Sequence, residues 1–429
     1  MSKKSFPIVE LTLDKIVGGG QALGTLDDGR KAFIWGALPG EVVRAQVTKK
    51  KSSYVEGVAI EILTSSPERI APKDPGSYLS TSPWQIMPLT VENTHKTALI
   101  HDAFTLHHVT LPGTTEVYSN GIEYGYRNKV EFSFWYDTDE EKLSLAFFRR
   151  GSHGKLPVEG TSLASPAIGN AAQKILEVLN ARKVEGRALK TLLIRSSRSG
   201  GVAWQLYVKD EAFPAEGLMS AFPAEENGEI IFSNPKSPAS VITKRLTKPS
   251  TPLSDTLFDV PFHYATEGFF QINLPVYEEA LQDMKAWIPK DTTVVDMYSG
   301  VGTIGLTIGG DDVTLVEVNE HAVREMERNV AELRKKAHPI LAASEQALDY
   351  IVGDKTIIVD PPRAGLHEAV VARLLEQEPK RIVYLSCNPT TQARDVALLL
   401  QKYRIVMNRG YNFFPHTPHI EHLVVLDLS

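Results

Sequence analysis

The spacing of hydrophobic residues changes character along the 429 residues of the chain. Over the first 64 residues, short apolar runs alternate with turn signals such as Gly18-Gly-Gly20 and Pro39-Gly40. This pattern predicts strands at residues 8–13, 31–35, 42–47 and 54–62, separated by tight turns. About five short strands of this kind favour an OB-like barrel, an architecture common among nucleic-acid-binding proteins.

The middle of the chain predicts a mixture of helices and strands. Residues 65–82 are rich in Pro, Ser and Gly and read as a linker, and residues 90–108 have helical character. Further on, the pattern predicts a helix at 167–181 and strands at 130–135, 191–194 and 204–208. We therefore predict a barrel at 1–64 and a mixed α+β domain at 65–260.

From about Thr256 onward, buried strands alternate with amphipathic helices, which is the signature of a parallel, doubly wound α/β sheet. Strands are predicted to end near Asp296, Glu317 and Asp360, and an amphipathic helix is predicted at 321–336. We therefore predict a Rossmann-like domain at 261–429. Chemistry in such sheets takes place outside the carboxyl ends of the strands.

Composition narrows the class of protein. The chain is 42% hydrophobic and 23% charged, which is ordinary for a globular protein. Its formal net charge of −6 does not indicate a nucleic-acid partner. A protein with this net charge can still carry a local basic face. Its start has no signal-peptide core, and no apolar run approaches the length of a membrane span. We expect a cytoplasmic protein that binds no membrane and is monomeric.

Cys387 is the only cysteine in the sequence. One cysteine excludes intrachain disulfides and any four-cysteine zinc or iron–sulfur site. A lone cysteine is most often a small buried hydrophobe. Here it follows the predicted buried strand 382–385 and precedes Asn388-Pro389, so a turn at the carboxyl end of a strand would expose and polarise the thiol. Cys387 is our candidate nucleophile.

A glycine-rich loop follows the first strand of the predicted sheet. Gly300, Gly302 and Gly305 would let the backbone approach a ligand at the start of a helix, although this signal alone is weak. The next strand ends in Glu317, where a carboxylate typically accepts hydrogen bonds from ribose hydroxyls. Both features together favour a nucleoside-containing ligand over an exposed strand-end acid.

Two more acids stand at predicted strand ends. Asp360 precedes Pro361-Pro362, which fix the backbone and remove two N–H donors, so Asp360 is held stiffly beside the expected cofactor. Glu421 precedes the apolar run 423–426. It is either a plain edge residue or a rigidly held base, and sequence spacing does not decide between these alternatives.

Three basic clusters stand beside aromatic residues, a combination suited to phosphate contact and base stacking. On charge alone, each is at least as well explained as a solvated strand tip. The candidate RNA-binding residues in these clusters are Lys49, Lys50, Lys51, Arg127, Lys129, Arg149 and Arg150.

The N-terminal pattern Ile16-Val-Gly-Gly-Gly20 … Gly24 … Gly29 … Leu38-Pro-Gly-Glu-Val42 resembles a TRAM domain, a small RNA-binding barrel. Together with motifs further on, the chain resembles the TRAM-bearing branch of the RNA uracil-C5 methyltransferase family. The matching stretches are Phe269-Phe-Gln-Ile-Asn273, Val295-Asp-Met-Tyr-Ser-Gly-Val-Gly-Thr-Ile-Gly305, Val316-Glu317, Val359-Asp-Pro-Pro-Arg-Ala-Gly365, Leu385-Ser-Cys-Asn-Pro389 and Thr417-Pro-His-Ile-Glu421. The full ordered set is far more specific than any one member.

The resemblance implies binding of S-adenosyl-L-methionine and methylation of uridine C5 in RNA. It places Gln271, Tyr298, Glu317 and Asp360 at the cofactor, Cys387 as nucleophile and Glu421 as base. Many relatives carry four cysteines for an iron–sulfur cluster. The region 74–85 has none and Thr161 or a neighbour stands in the fourth place, so we expect no cluster. Asn412 stands where the family usually has an aspartate.

The sequence leaves other functions to be considered. A cytosine-C5 or an amino-group methyltransferase would need different motifs around the cysteine or after Asp360. A non-catalytic RNA-binding protein with a relict methyltransferase domain is disfavoured by the intact Cys387 and Glu421. The TRAM-like module leans towards 23S ribosomal RNA as substrate, with transfer RNA as the alternative.

Overall fold

The computed structural model describes residues 6–152 and 154–429. The N-terminal part is a closed barrel with strand order β1-β2-β3-β5-β4. Its strands are β1 (Ile8–Ile16), β2 (Ala22–Thr25), β3 (Lys31–Trp35), β4 (Val42–Lys50) and β5 (Tyr54–Thr64). Side chains such as Leu11, Leu13, Val43 and Ala45 alternate inward and form its core. The predicted barrel is present.

One barrel strand, β2, was not predicted from the apolar pattern because it is short and contains Gly24. A Cβ built on Gly24 would lie 2.4 Å from the carbonyl oxygen of Thr12 on the neighbouring strand. Only glycine permits that close approach, so the residue that weakens the strand signal is the one that lets the barrel close.

A helical connection follows the barrel, with α1 (Tyr78–Thr81) and α2 (Leu89–Leu106). The buried side chains of α2, including Ile100 and Phe104, belong to a hydrophobic core that is shared by the barrel and the C-terminal domain. The next strand, β6 (Val117–Tyr118), pairs in parallel with the edge of the C-terminal sheet. Residues 89–118 thus pack with the C-terminal domain although they lie within the range predicted for the central one.

The central domain is a seven-stranded sheet with order β13-β12-β11-β10-β7-β8-β9. Its strands are β7 (Lys129–Asp137), β8 (Lys142–Phe148), β9 (Lys155–Val158), β10 (Leu189–Ser196), β11 (Val202–Val208), β12 (Gly228–Phe232) and β13 (Lys244–Arg245), and its helices are α3 (Pro166–Ala181) and α4 (Ala215–Met219). Helix α3 starts where the Ser165 hydroxyl accepts from the Ile168 N–H, with Pro166 at the first helical position. Its apolar stripe packs on the sheet.

A hairpin, β14 (Leu253–Leu257) and β15 (Val260–Tyr264), leads into the C-terminal domain. The helices that follow are α5 (Leu274–Ala286), α6 (Thr303–Ile308), α7 (Glu320–Leu333), α8 (Glu368–Gln377) and α9 (Pro389–Leu399). The strands are β16 (Val294–Met297), β17 (Asp312–Glu317), β18 (Lys336–Leu341), β19 (Thr356–Val359), β20 (Arg381–Ser386), β21 (Tyr403–Tyr411) and β22 (Glu421–Leu428).

The C-terminal sheet has the order β18-β17-β16-β19-β20-β22-β21-β6. Strands β16 to β20 run parallel, and β22 runs antiparallel to both β20 and β21. This is the predicted doubly wound, Rossmann-like arrangement with an antiparallel edge. In the part of the chain that the structure describes, no helix is both long and apolar enough to cross a membrane.

Candidate active site

Three candidate residues lie at one level along the carboxyl edge of the C-terminal sheet. Met297 of β16 pairs with Val316 of β17 on one side and with Val359 of β19 on the other. The residues that follow these three are Tyr298, Glu317 and Asp360. Because parallel strands keep their register, these three residues emerge side by side where strands stop and loops begin.

Cys387 and Glu421 face each other on neighbouring antiparallel strands. Ser386 at the end of β20 pairs with His422 near the start of β22. One further step in this register sets Cys387 opposite Glu421, at a backbone separation of roughly 5 Å. Cys387 is half-buried and Glu421 is buried. The thiol and the carboxylate therefore lie at the same edge as Asp360.

Hydrogen bonds fix the turn that carries Cys387. The Asn388 N–H donates to the Ser386 hydroxyl at 3.1 Å, and the Asn388 side-chain oxygen accepts from the Thr390 N–H, capping α9. The Asn388 amide nitrogen donates to the Arg363 carbonyl oxygen at 2.8 Å. The cysteine turn and the Asp360-Pro-Pro-Arg363 loop therefore form one connected unit.

The glycine loop is closed by Glu317. One carboxylate oxygen of Glu317 accepts from the Gly300 N–H at 2.9 Å and the other from the Asn319 N–H at 2.8 Å. Gly300 has φ 58°, and a Cβ added there would meet no atom within 4 Å, so the loop faces open space. Gly302 caps α6 with φ 87°, a conformation that glycine adopts without strain.

Tyr298 and Gln271 complete the predicted cofactor set. Tyr298 has a left-handed backbone, φ 67°, and its half-buried ring packs against the core. Gln271 is buried, and its carbonyl oxygen accepts from the Asn128 amide at 2.9 Å. Asn273 donates to the Phe413 carbonyl oxygen at 3.1 Å and so ties this segment to the loop before Glu421. Motifs far apart in sequence are thereby joined.

Burial dominates the electrostatics of the site. It raises the pKa of the Cys387 thiol to about 12, and the carboxylates of Glu421 and Asp360 push in the same direction. Burial also raises the pKa of Asp360 to about 7 and holds that of Glu421 well above its usual value. The Arg363 guanidinium opposes the shifts of Cys387 and Glu421 because it favours both anions.

Residues 312–428 match the family described as tRNA (Uracil-5-)-methyltransferase, and residues 8–60 match the TRAM domain. The chain therefore contains a TRAM domain and a domain of the tRNA (Uracil-5-)-methyltransferase family. Similar proteins include an uncharacterized RNA methyltransferase of Enterococcus faecalis, 29% identical over 99% of this chain and 98% of its own. Another, from Nitratidesulfovibrio vulgaris, is 26% identical over 97% and 95% of the two chains.

The fold resembles a crystal structure of Pyrococcus abyssi tRNA (uracil-54, C5)-methyltransferase in complex with S-adenosyl-L-homocysteine. The TM-score is 0.78 and the identity 23%, covering 97% of this chain and 100% of the other. The likeness shows that the three-part architecture is shared from the barrel to the last strand. The domain match at residues 312–428 and the RNA methyltransferases among the relatives identify the chain as an RNA methyltransferase, with S-adenosyl-L-methionine as its methyl donor.

The edge residues of this methyltransferase suit that donor. The open glycine loop leaves room for a ligand beside the half-buried Glu317 carboxylate, which keeps lone pairs free for a ribose diol. Beneath the loop, buried Asp296 accepts from the Gly305 N–H at 2.8 Å, while its other oxygen has no partner among the described residues. Burial raises the pKa of Asp296 to about 8. The residues present fit the cofactor.

The three TRAM lysines are not equivalent. Lys49 is paired with Glu56, with 2.6 Å between its ammonium nitrogen and the carboxylate, and it lies over the Tyr54 ring at 5.5 Å. Lys50 and Lys51 are exposed at the tip of the β4–β5 hairpin. All three lysines are exposed, and Lys50 and Lys51 differ from Lys49 in having no ion-pair partner among the described residues.

The candidate RNA-binding residues of the central domain also differ in their exposure and contacts. Arg150 lies over the Trp35 ring at 4.1 Å and donates to the Leu79 carbonyl oxygen, so it links the barrel to the central domain. Arg149 is exposed. Arg127 and Lys129 are partly buried at the start of β7, next to the Gln271 segment.

Hydrogen bonds between polar side chains connect residues 74–85 to residue 162, in the region where the sequence predicts no iron–sulfur cluster. The Asp74 carboxylate accepts from the backbone and hydroxyl of Ser162, at 3.0 and 2.8 Å, and from Gln85 at 3.0 Å. Over residues 6–152 and 154–429, no group of three or more His, Cys, Asp or Glu side chains is placed to hold a metal ion. The lack of a cluster stays a prediction.

Sequence reasoning missed two features of the site. The first is the role of Arg363, which the sequence analysis gives only as part of a motif. Its position three residues after Asp360 could have indicated that it lies near the candidate site. The second is a buried network beneath the loop before Glu421, in which Lys96 pairs with Glu92 at 2.8 Å and donates to Asn412 at 2.6 Å. Its helical i, i+4 spacing looks the same as that of a surface pair, so no sequence signal distinguished it.

Proposed function

We propose that this methyltransferase modifies C5 of a uridine in 23S ribosomal RNA, forming 5-methyluridine through a covalent bond between Cys387 and C6. The observation that carries the proposal is the register that sets the Cys387 thiol opposite the Glu421 carboxylate, beside Asp360. We assign Gln271, Tyr298, Gly300, Gly302, Glu317 and Asp360 to the S-adenosyl-L-methionine site. An RNA substrate also accords with the cytoplasmic location expected from the sequence.

The residues divide the chemistry into addition and elimination. The Cys387 thiolate adds to C6, and the electrons of the C5–C6 double bond move into the uracil carbonyl system, which makes C5 a carbon nucleophile. S-adenosyl-L-methionine supplies the electrophilic methyl group that C5 takes up. The Glu421 carboxylate then removes the remaining C5 proton, the double bond reforms and the thiolate leaves.

The electrostatics set a condition on both steps. Burial raises the pKa of the Cys387 thiol to about 12, so the thiol is protonated in the resting site at neutral pH and must lose its proton before it adds to C6. Burial also holds the pKa of Glu421 well above its usual value, which favours the protonated form of a group that must act as the carboxylate. Arg363 is placed to favour both anions, and the target base must leave its stack to reach the half-buried thiol.

Two substitutions test the proposal. Cys387→Ala should abolish methylation and any covalent RNA adduct, because the chain has no other thiol. Glu421→Gln should still add and methylate but stall as a protein–RNA complex that survives denaturing electrophoresis. RNA containing 5-fluorouridine should trap the wild type in the same way, because fluorine does not leave as a proton does. Full turnover by Glu421→Gln would remove Glu421 from the mechanism.

Transfer RNA is the second candidate substrate. The Pyrococcus abyssi protein, which shares the whole architecture, is described as a tRNA (uracil-54, C5)-methyltransferase. The barrel therefore does not by itself select ribosomal RNA. Methylation assays on unmodified 23S ribosomal RNA and tRNA transcripts, followed by mapping of 5-methyluridine, separate the two. Product in tRNA alone would replace the ribosomal assignment.

A further inference from the structure

A cavity of about 360 Å³ lies between the central domain and the segment that precedes α5. Its volume falls within the roughly 300–1,000 Å³ typical of small-ligand pockets. Side chains from five separate parts of the chain meet around it. The lining that matters for recognition consists of Arg127, Lys129, Glu131, Phe147, Thr161 and Ile272.

The charged groups of the cavity suit a single negative charge. Arg127 and Lys129 contribute two cations and Glu131 one anion, so the lining carries a net charge of about +1. The Nε atom of Arg127 is buried without a hydrogen-bond partner among the described residues. The Lys129 ammonium donates to the Glu267 carbonyl oxygen at 3.1 Å and has further protons to donate. A phosphodiester, with one charge, fits this balance better than a phosphate dianion.

An aromatic platform completes the cavity. The Phe147 ring is stacked on Phe132, with centroids 5.3 Å apart and planes inclined by 28°. Phe132 is buried, so it holds the Phe147 ring from behind in the core of the central domain. A ring supported in this way can stack a nucleobase with little loss of side-chain entropy.

Hydrogen bonds connect the wall of the cavity to the candidate active site. Asn128, between the two cationic residues, donates to the carbonyl oxygen of Gln271, and Ile272 of the cavity wall follows directly. One residue before Arg127, the Tyr126 hydroxyl donates to the Pro415 carbonyl oxygen at 2.9 Å, in the loop that leads to Glu421. The residues from Tyr126 to Lys129 thus run from the loop of the proposed base to the cavity.

We propose that this cavity takes one nucleotide of the RNA substrate that flanks the target uridine. Its phosphodiester lies against Arg127 and Lys129, and its base stacks on Phe147. Glu131 and Thr161 supply acceptors for the imide, amino or 2′-hydroxyl groups of that nucleotide. This inference rests on the proposed function, since it names a second contact of the same substrate.

Phe147→Leu and Phe148→Leu are a matched pair for testing it. Phe147 lines the cavity, whereas the next residue, Phe148, is 58% exposed and is not part of the lining. Binding of a short oligouridylate is measured by fluorescence anisotropy. We expect Phe147→Leu to weaken it roughly tenfold or more, as loss of one base–aromatic stack does, and Phe148→Leu to change it less than about twofold. The reverse pattern would overturn the proposal.

Lys129→Met keeps the test decisive should Phe147→Leu not fold. It should weaken oligouridylate binding and reduce its salt dependence, whereas Lys142→Met, an exposed lysine on β8, should not. Calorimetric binding of S-adenosyl-L-homocysteine, unchanged in every variant, shows that the methyltransferase domain is intact. Wild-type affinity in both Phe147→Leu and Lys129→Met would refute the cavity assignment.

Two further measurements distinguish a nucleotide from a simple anion as the ligand, and distinguish this inference from the proposed function. Inorganic phosphate and uridine 5′-monophosphate are added as competitors. Displacement of the oligouridylate by phosphate alone would make the cavity a simple anion site and overturn the nucleotide assignment. Wild-type protein that forms no adduct with 5-fluorouridine RNA would contradict the proposed function. Wild-type protein that methylates RNA, with unaffected cavity variants, would contradict only this inference.

Discussion

Arg363 is the charged residue that opposes the carboxylates around Cys387. Its guanidinium lowers the pKa of the thiol, whereas burial and the charges of Glu421 and Asp360 raise it. Arg363 is exposed and its guanidinium lies 3.3 Å from the His419 ring nitrogen, in the loop before Glu421. The exposed guanidinium is accessible to an incoming phosphate, and an ion pair with that phosphate would change the balance at the thiol.

Because Cys387 is the only cysteine, its pKa is measurable without an activity assay. The rate of iodoacetamide alkylation should rise with pH across the alkaline range in the wild type, since only the thiolate reacts. Arg363→Met should shift this rise to higher pH, because it removes the charge that favours the thiolate. Arg363→Lys, which keeps the charge, is the control. Superimposable pH profiles of Arg363→Met and wild type would exclude this role for Arg363.

At the residue scale, the sequence was informative about residue types and silent about their charge states. Cys387, Asp360 and Glu421 were identifiable because each stands beside a predicted strand in a motif. Their raised pKa values depend on burial and on one another, and these arise only when β19, β20 and β22 lie side by side. No spacing along the chain encodes that proximity.

At the scale of elements, the loop between β21 and β22 is anchored by α2. Asn412 accepts from the buried Lys96 ammonium at 2.6 Å and donates to the Glu92 carboxylate at 2.8 Å. Glu92 also accepts from the His416 N–H at 2.8 Å. An amide side chain is required at position 412 because it must donate and accept at once, which gives a structural reason for Asn412 in place of an aspartate.

Asn412→Asp should therefore destabilise the protein. It would place a second carboxylate within 2.8 Å of Glu92, in a buried site with Lys96 as the one cation of the network. We expect a loss of about 3 kcal/mol in the free energy of unfolding, measured in urea. The double variant Glu92→Gln/Asn412→Asp restores the charge balance and should recover much of that loss. Additive effects would show that the two side chains are not coupled.

The barrel contacts the same loop through a glycine. The Trp84 indole donates to the Gly20 carbonyl oxygen at 2.9 Å, and a Cβ on Gly20 would lie 2.2 Å from Cβ of Pro418. Gly20 also has φ 92°. The β1–β2 turn of the barrel thus packs directly against the loop that carries the proposed base three residues later.

Gly20→Ala should push Pro418 away and disturb Glu421. We expect a destabilisation of about 1–3 kcal/mol, as for overpacking, together with a lower methylation rate and unchanged binding of S-adenosyl-L-homocysteine. Gly18→Ala is the matched control, because a Cβ at Gly18 meets no atom within 4 Å. Equal methylation rates in the two variants would show that the barrel does not position the loop.

Helices and strands with a strong hydrophobic periodicity were predictable from the sequence. Those that depend on contacts with distant parts of the chain were not. The strand at 31–35 and the helices α3 and α7 follow their apolar patterns closely. Strand β6 has two residues and exists because the Gly410–Tyr411 edge of β21 is available to pair with it. The anchoring of α2 to the C-terminal core likewise depends on contacts more than 300 residues distant in sequence.

At the scale of the whole molecule, a net charge of −6 hides local basic surfaces. Acidic residues pair with many of the cations, as Glu56 does with Lys49 and Glu278 with Arg198. At the hairpin tip of the barrel, the exposed lysines without an ion-pair partner among the described residues are Lys50 and Lys51. The sequence showed three consecutive lysines, and only the strand pairing of β4 with β5 shows that the first is paired with Glu56.

Lys50→Ala/Lys51→Ala should weaken RNA binding and flatten its salt dependence, because each lysine that contacts a phosphate releases counterions on binding. Two such contacts correspond to a change of about 1.4–1.8 in the slope of log affinity against log salt. Lys49→Ala should change the slope little, since its charge is engaged by Glu56 at 2.6 Å. The measurement is a titration of unmodified 23S ribosomal RNA fragments and tRNA transcripts at several salt concentrations. A slope equal to that of the wild type in the double variant would leave Lys50 and Lys51 as solvated residues of a hairpin tip.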